Sequence, residues 1–194
     1  MAETASTFRL RLGDPAPSFV LNDPSGAPYS LEEMMGEKGI LVVFACNHCP
    51  YVIHLAEEMG VLAEEIAERG IETVAIMSND YEQYPADAPK EMELFAEANG
   101  WNFPYLCDET QEVAKAYSAA CTPDFFLFDE EGHLYYAGQF DSSRPKNDES
   151  VSGDDIRDAI EGLLEGESPP LDPAPSTGCN IKWKEGNEPS YYGS

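Results

Sequence analysis

Residues 39–53 read GILVVFACNHCPYVI, and this stretch decides the fold because a strand and a helix meet in it. Its first six residues form an uninterrupted apolar run of strand length, as expected for a central strand that is covered on both faces. Pro50 is typical of the first turn of a helix. Cys46 and Cys49 therefore fall where a buried strand passes into the N-terminus of a helix.

This position suits redox chemistry by the two cysteines. A thiolate in the first turn of a helix faces unpaired backbone N–H groups and the positive end of the helix dipole, and both lower its pKa. A gap of two residues lets the second sulfur resolve a mixed disulfide. We therefore expect Cys46 to be the exposed nucleophile and Cys49 to be the more buried resolving cysteine. The imidazolium of His48, inside the motif, would stabilise the thiolate.

Two other interpretations of the cysteine pair remain open. Cys46 and Cys49 could belong to a metal-binding or metal-delivery module, although no second CxxC or CxxH follows at the usual spacing. The further ligands would then come from His48, His54, Cys121 or Cys179. Alternatively, the pair could be inert in a domain that is kept as a non-catalytic binding scaffold. We expect no bound organic cofactor.

Strand-like and helix-like segments alternate along the chain, which indicates an α/β fold. A turn rich in Pro and Gly at 24–26 predicts a short N-terminal β-hairpin, and Ser30 is a typical cap for a short helix through Met35. Apolar residues at spacings of three and four predict a helix over 50–69. The other predicted elements are a strand at 71–77, helices at 89–99 and 110–117, a hairpin of strands 125–128 and 134–140, and a last helix that starts at 152–155.

The composition changes after Gly166, where four prolines precede a second short apolar motif. We expect one domain over 1–166 and an extended, Pro-rich C-terminal tail over 167–194 that packs on it. An extended Pro-rich run of this kind, at ~3.1 Å per residue, reaches about 30 Å. The radius of gyration expected for a chain of this length is only ~16 Å. The tail can therefore bring Cys179 to almost any face of the domain.

The chain is strongly acidic, with 37 Asp and Glu against 11 Lys and Arg and a formal net charge of −26. A chain this negative, without a basic patch, repels the nucleic-acid backbone and anionic lipid surfaces, so we expect neither a nucleic-acid nor a membrane partner. The acidic residues are dispersed along the whole chain, which favours a surface adapted to high salt. An ordinary acidic surface and a basic docking partner are the alternatives.

We also expect a cytoplasmic location. Residues 1–19 contain no apolar run typical of a signal peptide, and no segment approaches the ~20 apolar residues that a membrane-spanning helix needs. Thiols in the cytoplasm are mostly kept reduced. The five cysteines therefore indicate a redox or metal site rather than a disulfide framework.

Five motifs together carry a resemblance to a known family. They are LGDPAPSF at 12–19, CNHCP at 46–50, MSND at 77–80, CTPDFFLFD at 121–129 and GCNIKW at 178–183. They resemble the redoxin group of thioredoxin-fold proteins, which contains the peroxiredoxins of the alkyl hydroperoxide reductase/thiol-specific antioxidant type. The branch most similar to this chain is peroxiredoxin-like and carries a Cys-x-His-Cys-Pro motif.

The resemblance implies a thioredoxin-like three-layer α/β/α fold with a mixed central sheet. It implies an oxidoreductase that acts on protein or small-molecule thiols and disulfides, with thioredoxin or a small thiol as the reductant and a peroxiredoxin-like antioxidant activity as an addition. It also implies that Pro123 is a cis-proline facing the CxxC. Its role would be to hold the backbone of Thr122 beside Cys46, where Thr122 pairs with an extended substrate.

The chain departs from the family patterns in ways that bear on mechanism. Peroxide-reducing members carry Thr or Ser three residues before the reactive cysteine, where this chain has Val43 before Cys46. The usual activating Arg is also missing near Pro123, and Arg144 is the nearest later Arg. Relative to thioredoxin, the site lacks the buried acid of the preceding strand. We therefore expect dithiol–disulfide exchange rather than efficient peroxide reduction.

Two further cysteines are candidates for redox chemistry. Cys121 lies two residues before Pro123, so the resemblance implies a position near the CxxC. It could act as a third redox thiol, pair with Cys179 of the tail, or simply be a small buried apolar residue, since free cysteines are commonly buried. We expect Cys107 to belong to the core.

Overall fold

The computed structural model of the protein describes residues 3–193. The strands are β1 (Glu3–Ala5), β2 (Val20–Asn22), β3 (Pro28–Ser30), β4 (Gly39–Phe44), β5 (Ile71–Met77), β6 (Tyr105–Cys107), β7 (Cys121–Thr122), β8 (Asp124–Asp129), β9 (Leu134–Gly138) and β10 (Thr177–Asn180). The helices are α1 (Leu31–Met34), α2 (Pro50–Ala67), α3 (Pro89–Ala98), α4 (Glu112–Tyr117) and α5 (Asp154–Glu165), with a short 3₁₀ helix at Pro85–Asp87.

A seven-stranded mixed sheet forms the centre of the fold, in the order β3-β2-β6-β5-β4-β8-β9. The β4–β5 and β5–β6 pairs are parallel, and β8 pairs antiparallel with both β4 and β9. Strands β2 and β3 form the expected N-terminal hairpin. Since the sheet combines parallel and antiparallel pairs, the expectation of a mixed central sheet is confirmed.

Alternate residues of β4 face two different apolar clusters, which gives the three layers. Leu41 and Val43 pack with buried residues of α2, α3 and α5. Ile40, Val42 and Phe44 pack on the opposite face with residues of α1 and α4. This pattern explains the uninterrupted apolar run, because a strand covered on both faces buries every side chain. The three-layer α/β/α architecture is therefore confirmed.

Helix α2 begins at the position that its sequence predicts. Pro50 occupies the first helical position, and its missing N–H is one that no helical partner would satisfy there. The apolar stripe of the helix is buried and faces the sheet: Val52, Leu55, Met59, Leu62 and Ile66. Gly70, with a φ of 89°, follows the helix and adopts the left-handed backbone conformation that favours glycine.

The C-terminal segment adds both a sheet and core residues. Strand β10 lies between β1 and β7 in a three-stranded antiparallel sheet. Ile181 and Trp183, which follow β10, are buried in the cluster on the α1 and α4 face. Strands β1, β6, β7 and β10 were not expected from the sequence, because two to four residues are too few to show a period. The domain boundary at Gly166 remains a prediction.

Within residues 3–193, no helix combines the length and the apolar character that crossing a membrane requires.

Candidate active site

The two cysteines of the CxxC occupy the loop between β4 and α2. Cys49 is the N-cap residue of α2, and Cys46 lies three residues before it. Cys49 therefore lies nearer the helix N-terminus than Cys46 does, and the backbone N–H of Val52 contributes to a lowered pKa of its thiol. We expected Cys46 to benefit from the helix N-terminus, and the structure gives that position to Cys49 instead.

Both sulfurs are enclosed by the protein. Cys46 is 1% exposed and Cys49 is 0% exposed, so the expectation of an exposed Cys46 is wrong. The reason is a cover that comes from elsewhere in the chain. The Thr122 hydroxyl lies 3.4 Å from the Cys46 sulfur, and the Cys49 sulfur lies 3.1 Å from the Thr122 carbonyl oxygen. One residue thus contacts both members of the pair.

Thr122 is held in this position by the segment that precedes β8. The Thr122–Pro123 peptide bond is cis, as the resemblance implied. Thr122 itself is buried, and its backbone pairs with the tail strand β10. The backbone edge expected to receive an extended substrate is therefore occupied by the protein's own C-terminal segment.

The tail brings a third cysteine to the pair. In the antiparallel register of β10 and β7, Cys179 is the partner of Thr122, and its thiol and that of Cys49 shift each other's pKa. Cys46, Cys49 and Cys179 form what we call the thiol cluster, and all three belong to one buried apolar cluster. All three are free thiols.

The other two cysteines take different positions. Cys121 pairs with Asn180 rather than Cys179 in the register, and its nearest hydrogen-bond acceptor is the Pro123 carbonyl oxygen at 3.5 Å. Burial raises the pKa of the Cys121 thiol. Cys107 is half-buried on β6, opposite Asn22. The register thus places Cys179, rather than Cys121, opposite Thr122, the residue that contacts both sulfurs of the CxxC.

The thiol cluster holds one negative charge most readily on Cys49. Hydrogen bonds from the Cys179 and Cys46 thiols and from the helix N-terminus lower the pKa of Cys49, although burial opposes them. The same contacts raise the pKa of Cys46 and of Cys179, because each thiol then donates to a thiolate. When Cys49 carries the proton instead, the Thr122 carbonyl oxygen at 3.1 Å accepts its hydrogen bond.

A buried aspartate that the sequence did not reveal organises the other side of the site. Asp87, from the 3₁₀ helix after β5, is completely buried and lies 2.6 Å from Nδ1 of His48. Its carboxylate also accepts hydrogen bonds from the backbone N–H groups of Asn47 and His48 and from the side chain of Asn79. Asp87 thus supplies the buried acid whose absence from the preceding strand we noted.

Asp87 sets the charge of its surroundings in two ways. Its hydrogen bond raises the pKa of His48, which favours the imidazolium. Its negative charge also contributes to the raised pKa of Cys46, after the Cys49 contact and burial. The sequence did hold a usable signal, because the loops after parallel neighbouring strands meet at one edge of a sheet. Polar residues after β5 were therefore candidates to approach the loop after β4.

The tail also contacts this network. The backbone N–H of Lys182 donates to the side chain of Asn79, which in turn donates to Asp87. The Lys182 ammonium lies 5.9 Å from the ring centre of Tyr84, and Tyr84 stacks on His48 at 5.6 Å with nearly parallel rings. The segment after β10 thus contacts Asn79 and Tyr84, which belong to the network around His48.

The chain is similar to several known proteins. The AhpC/TSA family model matches residues 12–137. The chain belongs to the AhpC/TSA family. An uncharacterized conserved protein from Geobacillus kaustophilus is 48% identical, with a TM-score of 0.91 over 95% of this chain and 97% of that one. A hypothetical protein from Sinorhizobium meliloti 1021 is 43% identical, with a TM-score of 0.91 over 94% and 100%. The thiol-disulfide oxidoreductase ResA of Bacillus cereus (strain ZK / E33L) is 24% identical, over 83% of this chain and 81% of its own.

This AhpC/TSA family member also has a group of donors suited to a metal ion. Donor atoms of Cys46, His48 and Asp87 all lie within 4.8 Å of one another. However, Nδ1 of His48 is hydrogen-bonded to Asp87, and the Cys46 thiol to Cys49, so these contacts already engage the donors. His54, another ligand candidate from the sequence, hydrogen-bonds Ser143 instead.

Proposed function

We propose that the protein is a thiol–disulfide oxidoreductase in which Cys46 attacks the substrate and Cys49 resolves the mixed disulfide. The observation that carries the proposal is the contact of both sulfurs with Thr122, at the junction of β4 and α2. Membership of the AhpC/TSA family and the ResA relative support the same reaction class.

The first step uses Cys49 as the base for Cys46. As the Cys46 sulfur attacks one sulfur of a substrate disulfide, its proton passes to the Cys49 thiolate, to which it is already hydrogen-bonded. The substrate S–S bond breaks, and its other sulfur leaves with the electron pair as a thiolate. The protonated Cys49 then donates to the Thr122 carbonyl oxygen.

The second step releases the substrate. Cys49 gives its proton to the substrate thiolate released in the first step, attacks the Cys46 sulfur, forms the Cys46–Cys49 disulfide and expels the second substrate thiolate. The substrate is reduced by two electrons and the protein is oxidised by two. A thioredoxin-type protein or a small thiol would return the pair to the dithiol, and the reverse sequence oxidises a substrate dithiol.

The neighbouring residues position and balance these charges. The imidazolium of His48, held by Asp87, offsets negative charge that develops on Cys46. Thr122, before cis-Pro123, orients both sulfurs and offers its backbone to an extended substrate once β10 has moved away. We infer protein or small-molecule disulfides as substrates. We also infer the cytoplasm as the compartment, because the thiol cluster fits a reducing environment.

Reduction of insulin disulfides by dithiothreitol tests the proposal. Cys46→Ser and Cys49→Ser should each lower the rate by about 100-fold or more, because each removes a sulfur that forms a covalent bond. Cys107→Ser, which removes a thiol outside the cluster, is the matched control and should retain the wild-type rate. Full activity in Cys46→Ser would refute the proposal. Stoichiometric zinc or copper in the purified protein, without redox turnover, would favour the metal-delivery alternative instead.

A peroxidase activity is the second candidate. Val43 stands where peroxide-reducing members of the family carry Thr or Ser, so the hydroxyl group of that residue is missing. The Thr122 hydroxyl, however, lies 3.4 Å from the Cys46 sulfur and could bind a peroxide oxygen. Consumption of hydrogen peroxide by the wild type and by Thr122→Val tests this role. Equal consumption by the two proteins would contradict it.

A further inference from the structure

We infer that Cys179 is a third exchanging thiol, which attacks the Cys46–Cys49 disulfide at Cys49 and transfers the disulfide to the tail strand β10. The inference rests on the proposed function of Cys46 and Cys49. In this inference β10 acts as an intramolecular substrate, since it already pairs with the backbone of Thr122.

The geometry of the ladder supports this assignment. Cys179 stands opposite Thr122 in the register, and the Thr122 carbonyl oxygen is 3.1 Å from the Cys49 sulfur. Cys179 and Cys49 belong to the same buried cluster, and the two thiols shift each other's pKa. Cys179 is thus the tail residue placed to attack the Cys49 sulfur.

The tail strand is built for close approach at this point. A Cβ atom at Gly178 would lie 2.0 Å from the carbonyl oxygen of Thr122, so a side chain there would push the strands apart. Strand β1 pairs with the other edge of β10, and Ile181 and Trp183 bury the segment that follows. Gly178 permits the close approach of the two strands, and the buried Ile181 and Trp183 hold the tail, so Cys179 stays beside the CxxC.

The burial of the cluster favours an internal partner over an external one. Cys46, Cys49 and Cys179 are 1%, 0% and 4% exposed, so an external disulfide reaches none of the sulfurs while β10 is in place. Cys179, in contrast, reaches Cys49 without any opening. While β10 is paired with β7, disulfide exchange between the CxxC and Cys179 is therefore favoured over exchange with an external disulfide.

The exchange is balanced within the protein. The Cys179 sulfur, as a thiolate, forms a bond to the Cys49 sulfur, the Cys46–Cys49 bond breaks, and Cys46 leaves with the electron pair. The proton that Cys179 gives up is replaced by one that Cys46 takes. One disulfide exists before and after the step, so no further oxidant is needed beyond the substrate disulfide that formed the first.

Oxidation of the CxxC also removes the main obstacle to this attack. In the reduced protein, the contact with Cys49 is the first cause of the raised pKa of Cys179, followed by burial, while the charge of Lys182 lowers it. In the Cys46–Cys49 disulfide, Cys49 carries no charge, and that cause disappears. The exchange leaves Cys46 as a thiol beside His48, and the disulfide then joins Cys49 at the start of α2 to Cys179 of the tail.

Disulfide mapping of the full-length protein tests the inference. The protein is oxidised with limiting diamide, quenched in acid, alkylated with N-ethylmaleimide and digested with trypsin. Trypsin leaves Cys46 and Cys49 together on peptide 39–69 and puts Cys179 on peptide 158–182. A disulfide between those two peptides, in monomeric protein, is therefore the signature of exchange with the tail.

The variants give the decisive comparison. Cys46→Ser, or Cys46→Ala if the serine variant is poorly folded, should form the 39–69/158–182 disulfide as its main oxidation product. Cys179→Ser should lack it and keep the disulfide within 39–69, and Cys121→Ser, the buried neighbour on β7, should behave as wild type. If neither Cys46 variant forms the inter-peptide disulfide although wild type forms the one within 39–69, the inference is overturned and the proposed function stands. If the Cys46 variants form it but wild type never forms a Cys46–Cys49 disulfide, the proposed function fails, and the transfer inferred from it fails too.

Discussion

Cys179 stands opposite Thr122 in the antiparallel pair of β10 and β7, and Thr122 contacts both sulfurs of the CxxC. The strand that occupies the expected substrate edge is thus the strand that carries the third thiol. Reactivity toward external molecules and the position of the C-terminal segment are therefore linked. We therefore expect access to Cys46 to require that β10 separate from Thr122.

Gly178→Ala should expose the thiol cluster. The added Cβ would meet the Thr122 carbonyl oxygen, which is backbone and cannot rotate away, so β10 should be displaced. We predict that iodoacetamide modifies Cys46 and Cys49 about tenfold faster than in wild type, because opening costs less free energy. Thr177→Ala, a truncation on the same strand that keeps the backbone pairing, is the control. Equal rates in Gly178→Ala and wild type would show that β10 does not guard the site.

Asp87→Asn should change two pKa values in the same direction. It removes the carboxylate whose hydrogen bond and charge raise the pKa of His48 and whose charge contributes to the raised pKa of Cys46, so both values should fall. The measurements are an NMR titration of the His48 ring and the pH profile of Cys46 alkylation. Glu82→Gln, which removes one exposed charge from the same loop, should leave both unchanged. A His48 titration that is identical in Asp87→Asn and wild type would contradict the assigned role.

Asp124→Asn should stabilise the protein at alkaline pH more than at acidic pH. Burial raises the pKa of Asp124 to about 7 from its ordinary 3.8. As the pH rises between these values, the unfolded chain releases this proton before the folded protein does, so folding stability falls. The asparagine variant lacks this loss, which amounts to at most about 4 kcal/mol.

Urea unfolding at pH 5 and pH 8 measures this difference. The stability of Asp124→Asn relative to wild type should increase from pH 5 to pH 8, whereas the exposed Asp158→Asn should show little change. A relative stability that is the same at both pH values would mean that Asp124 titrates normally in the folded protein.

The acidic surface predicts a dependence of stability on salt. With a net charge of −26, repulsion between like charges opposes folding, and salt screens it. The melting temperature should therefore rise as KCl is increased to molar concentration. The absence of any gain over that range would leave an ordinary acidic surface as the better interpretation.

The local patterns of the sequence predicted a strand covered on both faces, the helix that follows it and the position of the CxxC between them, whereas the three-layer fold was implied by the family resemblance. The apolar run of β4 and the three-and-four spacing of α2 each reflect burial by the nearest neighbours, so both are visible in a short stretch. The hairpin of β2 and β3 follows in the same way from its turn residues. In these segments, local preference and tertiary packing agree.

The parts that the sequence did not predict depend on contacts between distant segments. The Cys46 sulfur lies against Thr122, which is 76 residues later in the chain, and the partner of His48 is Asp87, which is 39 residues later. A Pro-rich segment has no period that reveals where it docks. The pairing of β10 with β1 and β7, the close approach at Gly178 and the burial beyond it fix the position of Cys179.

The central claim is that the thiol cluster is a reversible two-electron redox centre in which Cys49 takes part in every intramolecular disulfide. Equilibration with mixtures of reduced and oxidised dithiothreitol, followed by counting free thiols by mass spectrometry, measures it most directly. Wild type should show a two-electron transition that Cys49→Ser abolishes and Cys107→Ser leaves unchanged. The account would be contradicted by a Cys49→Ser protein that still gains and loses an intramolecular disulfide as wild type does.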